Sequence, residues 1–214
     1  MDTKPFDIIT EADARVLPPG TTVRLARHGH VTPLADDTLR ARRITVLRDD
    51  GVPSGVAANL APPAEIRRLV IGSDHTGVAL KRHLVDWCRA RGLAVIDAGV
   101  SDGTPVDYPD VAAAVARPVA RGEAEAGIVI DGAGLGSAIA ANKVRGIRAA
   151  MCATPTLARY AREHNGANVL ALGATLLSPD EAVAIVETFL STSMKEARYI
   201  ARLAKVKRLE EAGH

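Results

Sequence analysis

The chain has 214 residues, of which 47% are apolar and only 3% aromatic. Its core therefore has to be built from Ala, Val, Leu and Ile, which suits alanine-rich helices packed on a Val/Ile-rich sheet. With 27 basic and 25 acidic residues the net charge is +2, so the overall charge gives no reason to expect nucleic acid as a partner.

The length fits one domain plus an appendage better than two full domains. No run approaches the ~18 consecutive apolar residues of a membrane span, and the N-terminus lacks the apolar segment of a secretory signal. We therefore expect a soluble, cytoplasmic protein without a membrane partner. Cys88 and Cys152 are too few for a disulfide framework and are expected to be buried thiols.

Residues 1–48 form a predicted N-terminal module. Thr10 with Asp13 three residues later is typical of a helix N-terminus. Thr32 followed by Pro33 predicts the start of a second helix. Two short strands are predicted in the module, at 23–25 and 44–47.

Residues 49–66 are rich in Gly, Pro and Ala and have no hydrophobic period, which predicts a linker. The main domain is predicted over residues 67–214, where strands and helices alternate. The predicted strands are 69–72, 94–97, 127–131, 148–152 and 169–173, and the predicted helices are 78–91, 111–121, 139–144, 154–165, 179–190 and 195–209. This alternation predicts an α/β fold with a parallel sheet and right-handed crossovers.

Ligands of such sheets bind at the carboxyl ends of the strands, which selects the loops 72–76, 131–137 and 151–156. In the second loop, the glycines let backbone amides approach a ligand, and a helix N-terminus favours an anion. These glycines are Gly132, Gly134 and Gly136. The order G-x-G-x-G, without an acidic residue at 150–156, argues against a dinucleotide site. A glycine-rich turn that only permits close packing is the alternative.

Asp74 and His75 follow the first strand of the main domain. An adjacent Asp and His at a strand end can orient hydroxyl groups and bind an anion. A helix-capping Asp74 beside a solvated His75 explains the same pattern.

Four segments, in this order, resemble the ribose-5-phosphate isomerase B and galactose-6-phosphate isomerase family: GSDHTG, VDYPD, GIVIDGAGLGSAIAANKVRGIRAA and REHNGANVLALGA. The similarity covers roughly residues 67–207. The resemblance implies a Rossmann-like three-layer α/β/α sandwich and an aldose–ketose isomerisation of a sugar phosphate through an enediolate. It also implies no metal, no cofactor, and a homodimer or dimer of dimers whose subunits share the active sites.

The resemblance assigns roles to several residues. Asp74 and His75 match residues that contact substrate hydroxyls and phosphate, respectively. Tyr108 matches a pocket tyrosine, Asn142 a site-loop asparagine, and His164 a histidine implied in opening the sugar ring.

Two C-terminal arginines, Arg198 and Arg202, match arginines implied in phosphate binding. Their spacing of four places both guanidinium groups on one helix face, as a phosphate clamp requires. Without the resemblance, a solvated basic helix would explain this pair.

The chain departs from the family pattern at four positions. Asp131 stands where many members carry a cysteine base, and Ser137, a predicted substrate contact, stands where another subgroup has a glutamate base. Asp131 is predicted to be the base, although an ordinary carboxylate is a weak one. Ala133 replaces a usual hydroxyl residue, and Thr175 replaces a phosphate-binding arginine.

These departures leave the substrate open among tetrose, pentose and hexose phosphates. A tetrose 4-phosphate cannot close a furanose ring and needs less ring-opening chemistry, whereas the presence of His164 favours a longer sugar. Two rival hypotheses are an isomerase fold with altered chemistry, such as an epimerase, and a catalytically silent sugar-phosphate-binding or scaffold protein.

The segments ITEADAR and VTPLADDTLRARRITVL resemble the leader of accessory enzymes from bacterial microcompartment operons. This resemblance implies contact of residues 1–48 with a microcompartment shell or cargo, and hence residence inside a microcompartment. An extension that packs on the dimer is the alternative.

Overall fold

The computed structural model describes residues 5–48, 60–194 and 196–212. The chain divides into two compact units, Met1–Val56 and Ala57–His214. Residues 49–59 of the predicted linker, and Lys195 at the predicted start of the last helix, lie outside the described residues. Among the described helices, none is both long and apolar enough to cross a bilayer.

The first unit is a parallel three-stranded sheet with strand order β1-β2-β3. Its elements are β1 (Phe6–Ile9), α1 (Glu11–Val16), β2 (Thr22–Val31), α2 (Pro33–Ala41) and β3 (Thr45–Arg48). Thr10 and Asp13 form a reciprocal capping box at the start of α1, as the sequence predicted. Leu25 and Leu39 pack in a small separate core. Strand β1 was not among the predicted elements.

The second unit carries a five-stranded parallel sheet with strand order β5-β4-β6-β8-β7. Its elements are β4 (Arg68–Ser73), α3 (Val78–Ala90), β5 (Ala94–Gly99), α4 (Tyr108–Ala120), β6 (Ala126–Asp131), α5 (Leu135–Ala141), β7 (Ala149–Met151), α6 (Pro155–Asn165), β8 (Val169–Gly173), α7 (Pro179–Ser191) and α8 (Ala197–Ala212).

Strand β6 is central and buried along its whole length. Alternate residues of a strand face opposite sides of the sheet. Ile128 and Ile130 pack in a core with Leu84 of α3 and Phe189 of α7, whereas Val129 packs in a second core with residues of α4 and α5. Helices thus cover both faces of the sheet, and the predicted three-layer α/β/α sandwich is confirmed.

Two helices begin earlier than predicted. Helix α5 begins at Leu135, four residues before the predicted Ile139, and α4 begins at Tyr108 instead of Val111. Both starts bring a predicted site residue to the first turn of a helix, at the carboxyl edge of the sheet.

Candidate active site

The glycine loop after β6 is organised around the side chain of Asp131, which is 5% exposed. Its Oδ1 accepts hydrogen bonds from the backbone amides of Ala133, at 2.9 Å, and Gly134. Its Oδ2 accepts from the amide of Ser137, at 2.8 Å. Gly134, with φ of 77°, provides no side-chain cap for α5, so the carboxylate of Asp131 caps this helix from outside it.

The sequence suggested that the loop amides face a ligand. In the structure, not all of them do. Three of them bind Asp131, and two glycines serve close packing. A Cβ on Gly136 would lie 2.7 Å from the ring of Tyr108, and one on Gly173 would lie 2.8 Å from the backbone of Ala133. Half-exposed Tyr108 thus lies directly over the start of α5.

Asp74 lies beside this loop, because its backbone amide donates to the carbonyl of Ile130 at 3.1 Å. It is 6% exposed. Its Oδ1 accepts from the amide of Thr76, at 2.9 Å, and from the Thr76 hydroxyl, at 2.5 Å. Asp74 therefore stabilises the turn before α3 and does not cap the helix itself, whose N-cap is Gly77. His75 is exposed.

Two buried hydroxyl groups at this edge have no hydrogen-bond partner in the described structure. They are the Oγ atoms of Ser73 and Ser137, and both residues are 0% exposed. A buried hydroxyl without a partner costs about 1–3 kcal/mol, so each of these two atoms has an unused hydrogen-bonding capacity.

Thr175 has a definite role in the loop. Its hydroxyl donates to the carbonyl of Gly132 at 2.6 Å, and its amide donates to the same oxygen at 3.0 Å. Thr175 therefore stabilises the glycine loop from the end of β8, and it contributes no positive charge there.

The remaining predicted residues lie at the opposite end of the sheet. Helices α5 and α6 each start at the carboxyl ends of the strands and run back to the amino ends, which carries Asn142 and His164 away from Asp131. Ala149 is the first residue of β7. Nδ2 of Asn142 donates a hydrogen bond to its carbonyl, and Oδ1 of Asn142 accepts one from its backbone amide, at 2.8 Å each. Asn142 therefore fixes the start of that strand.

At this amino-terminal edge, the imidazole of His164 lies between two tyrosine rings. Its centroid is 4.7 Å from the ring of Tyr160 and 4.4 Å from the ring of Tyr199. Nη2 of Arg198 donates to the Tyr199 hydroxyl at 2.9 Å, and Cζ of Arg202 lies 5.5 Å from the Tyr199 ring centroid.

A cavity of about 970 Å³ opens beside these residues. His164 and Arg202 contribute to its lining, together with the cationic residues Lys143, Arg145, Arg148 and Lys207. Glu210 is the acidic residue in this lining, and its carboxylate accepts from the amide of Gly146 at 2.7 Å. The excess of positive charge suits an anionic ligand such as a phosphate group.

Within one chain, the predicted site residues thus form two groups at opposite edges of the sheet. The carboxyl-edge group comprises Asp74, His75, Tyr108, Asp131, Gly132, Gly134, Gly136 and Ser137. The amino-edge group comprises Asn142, His164, Arg198 and Arg202. Tyr160 and Tyr199 were not among the predicted site residues, although the spacing of four between Tyr160 and His164 on one helix indicates their contact.

The two cysteines are buried, as predicted, and form no disulfide. Burial raises the pKa of both the Cys88 and the Cys152 thiol to about 11. Neither thiol supplies a thiolate base near neutral pH. Among the described residues, no three His, Cys, Asp or Glu side chains converge as metal ligands.

The similarity of this chain to known proteins covers the same segments. The model of the Ribose/Galactose Isomerase family matches residues 69–206. The chain belongs to this family. It is 38% identical over 146 residues to the ribose-5-phosphate isomerase B of Escherichia coli, covering 68% of this chain and 98% of that protein.

Solved structures of family members agree. The ribose-5-phosphate isomerase B of Clostridium thermocellum superposes with a TM-score of 0.68 at 46% identity, over 69% of this chain and 99% of that one. The Mycoplasma genitalium enzyme, solved with bound ribulose-5-phosphate, gives a TM-score of 0.64 at 36% identity, over 67% of this chain and 96% of that one. The predicted family and enzyme class, an aldose–ketose sugar-phosphate isomerase, are confirmed. The roles of individual residues stay predictions.

Proposed function

We propose that this family member interconverts an aldose phosphate and a ketose phosphate with Asp131 as the proton-transfer base. The observation that carries the proposal is the fixed position of this carboxylate at the ligand-binding edge of the sheet. By resemblance it matches the position at which many family members carry a cysteine base, while both thiols of this chain are buried and have a raised pKa.

The hydrogen bonds of Asp131 leave one lone pair of its carboxylate unused. A carboxylate offers about four lone-pair positions, and three are used by the amides of Ala133, Gly134 and Ser137. The fourth accepts the proton from C2 of the aldose and returns it to C1 of the enediolate. Together with transfer of the hydroxyl proton from O2 to O1, this yields the ketose. Because the amides hold the carboxylate in place, little reorganisation accompanies the transfer.

The developing oxyanion needs hydrogen-bond donors that are free before the substrate binds. The unpartnered hydroxyls of Ser137 and Ser73 have this property. Substrate hydroxyls are oriented by Asp74, whose Oδ1 is held by Thr76, and the ring of Tyr108 covers the loop.

The separation of the two residue groups supports the proposed homodimer with shared sites. Asp131 and His164 lie at opposite ends of one sheet, so a site that uses both needs a second copy of the chain. Exposed apolar side chains on α5 and α6 offer a surface for that copy, namely Leu135, Ile139, Leu157 and Tyr160.

Subunit mixing tests this arrangement. An Asp131→Asn protein and a His164→Asn protein are each inactive, and each is unfolded and refolded alone as a control. Refolding an equal mixture produces heterodimers in which one of two sites is intact, so activity returns to roughly a quarter of wild type. No recovery, with dimers present by sedimentation, contradicts shared sites.

The residues available to bind the phosphate group bear on the choice of substrate. Thr175 supplies a hydroxyl already bonded to Gly132 where the family has an arginine, so phosphate binding depends on the cations of the amino-edge cavity. We propose a tetrose, pentose or hexose phosphate, of which the first two are compared directly. Turnover of ribose 5-phosphate compared with erythrose and erythrulose 4-phosphates distinguishes them, and a clear preference for the pentose removes the tetrose.

A second candidate function is a catalytically silent sugar-phosphate-binding protein. The observation that favours it is the use of three loop amides by Asp131 itself, which removes donors that would otherwise face a ligand. Wild-type turnover that Asp131→Asn abolishes, while the variant still binds the substrate, eliminates this candidate.

We also propose that the N-terminal unit is a docking module for a microcompartment shell or cargo protein. Its support is a separate core and four exposed apolar side chains: Ile8, Val16, Leu34 and Leu47. Deleting residues 1–56 is expected to leave isomerase activity unchanged and to abolish association with purified shells. Loss of solubility or activity instead supports a unit that packs on the dimer.

A further inference from the structure

The stack of His164 on two tyrosines restricts how its imidazole can move. The ring of Tyr160 lies nearly parallel to it, at 16°, and the ring of Tyr199 is tilted by 30°. Aromatic rings at these separations attract one another and exclude water from both faces. The side chain of His164 is nevertheless 32% exposed, so the accessible part is its edge, which carries the nitrogen atoms.

Tyr199 holds this position from within the fold. It is 8% exposed, and its hydroxyl accepts a hydrogen bond from Arg198 at 2.9 Å. The guanidinium carbons of Arg198 and Arg202 lie 4.7 and 5.5 Å from its ring centroid, within the range of cation–π attraction. One side chain thus touches the histidine and both arginines of the predicted phosphate clamp.

We propose that Tyr199 is a positioning residue that presents the edge of His164 to the substrate and holds Arg198 in place for the phosphate. The inference rests on the proposed isomerase function, because ring opening and phosphate binding are steps of that reaction. It assigns the ring face of Tyr199 to the first step and its hydroxyl to the second. The ring keeps the imidazole oriented for ring opening. The hydroxyl keeps the guanidinium oriented for binding.

Two variants separate the role of the Tyr199 ring from that of its hydroxyl. Tyr199→Phe keeps the ring and removes the hydroxyl, whereas Tyr199→Leu removes both. Tyr199→Phe is expected to raise KM for every phosphorylated substrate severalfold with kcat unchanged. Tyr199→Leu is expected to raise KM in the same way and also to lower kcat for ribose 5-phosphate by a factor of about 10 to 100, the loss typical of a misplaced catalytic group.

The substrate contrast gives a readout that general damage to the fold would not produce. Ribose 5-phosphate exists largely as a furanose that has to be opened, whereas the phosphorylated O4 of erythrose 4-phosphate cannot close such a ring. Tyr199→Leu should therefore slow the pentose far more than the tetrose. Equal slowing of both substrates, or no slowing of either, overturns the proposal.

The imidazole can also be observed without turnover. In proton NMR, the carbon-bound ring protons of His164 should be shifted upfield by the two tyrosine rings in wild type and in Tyr199→Phe. They should move toward ordinary positions in Tyr199→Leu, with the unfolding midpoint measured alongside. Absence of wild-type activity on any sugar phosphate defeats the proposed function. Unchanged imidazole shifts in Tyr199→Leu defeat the positioning role.

Discussion

Replacing Asp131 by Asn should destabilise the second unit strongly, although the side chains have the same shape. An amide group has one acceptor and one donor atom, so at least one backbone amide of the loop then faces an NH₂ group. If Nδ2 takes the place of Oδ2, the buried amide of Ser137 loses its 2.8 Å bond, at about 1–3 kcal/mol. The bonds from Ala133 and Gly134 lose their charge assistance, at about 1 kcal/mol each.

The expected loss is therefore about 3–5 kcal/mol, equivalent to roughly 10 °C in Tm for a chain of this size. Trp87 is the one tryptophan of the chain and lies in α3, so its fluorescence during urea unfolding follows the second unit. Asp102→Asn is the matched control, because its carboxylate is exposed and its hydrogen bonds, such as the one from the Thr104 amide at 3.1 Å, lie at the surface. Equal stability of the two variants would refute the assignment of three amides to Asp131.

Four further predictions concern other groups of the second unit. Arg162→Met should cost about 3–5 kcal/mol in urea unfolding, because the fully buried guanidinium donates to three backbone carbonyls that would lose their partner; a loss below about 1 kcal/mol contradicts this. Activity should survive iodoacetamide, since Cys88 and Cys152 are buried with a pKa of about 11. Between pH 9 and 11 the unfolded chain ionises these thiols and the folded chain does not, so stability should fall as pH rises, less steeply in a cysteine-free variant. Gly136→Ala should displace the ring of Tyr108, 2.7 Å from the new Cβ, and raise KM, and Tyr108→Ala is expected to raise it as well. An unchanged KM in Gly136→Ala contradicts the contact.

The fold was predictable because its signals are local. The apolar run of β6, the alternation of strands with helices, and the cap at Thr10 are properties of neighbouring residues, and the structure bears them out. The start of α5 was not predictable in the same way. Gly136 and Ser137 are weak helix formers, and this helix is capped by Asp131, whose bonds to the loop become apparent only in three dimensions.

The candidate site was predictable residue by residue but not as an arrangement. Resemblance identified Asp131 and His164, yet no sequence pattern indicates that the parallel topology carries them to opposite ends of the sheet. The pairing of Tyr199 with His164 joins α8 to α6 across 35 positions of sequence, and such a long-range contact leaves no periodic signal. The role of Thr175 as a hydrogen-bond donor to the loop was hidden for the same reason.

Hydrogen exchange at the sugar carbons tests the central claim most directly. Wild-type protein and the Asp131→Asn variant are incubated in deuterated water with a panel of phosphorylated aldoses and ketoses, and proton NMR follows C1 and C2. The account predicts deuterium at the transferred position with wild type, and none with the variant while calorimetry still detects its substrate binding. Exchange by the variant at the wild-type rate, or its absence in wild type for every sugar phosphate, would contradict a carboxylate base at position 131.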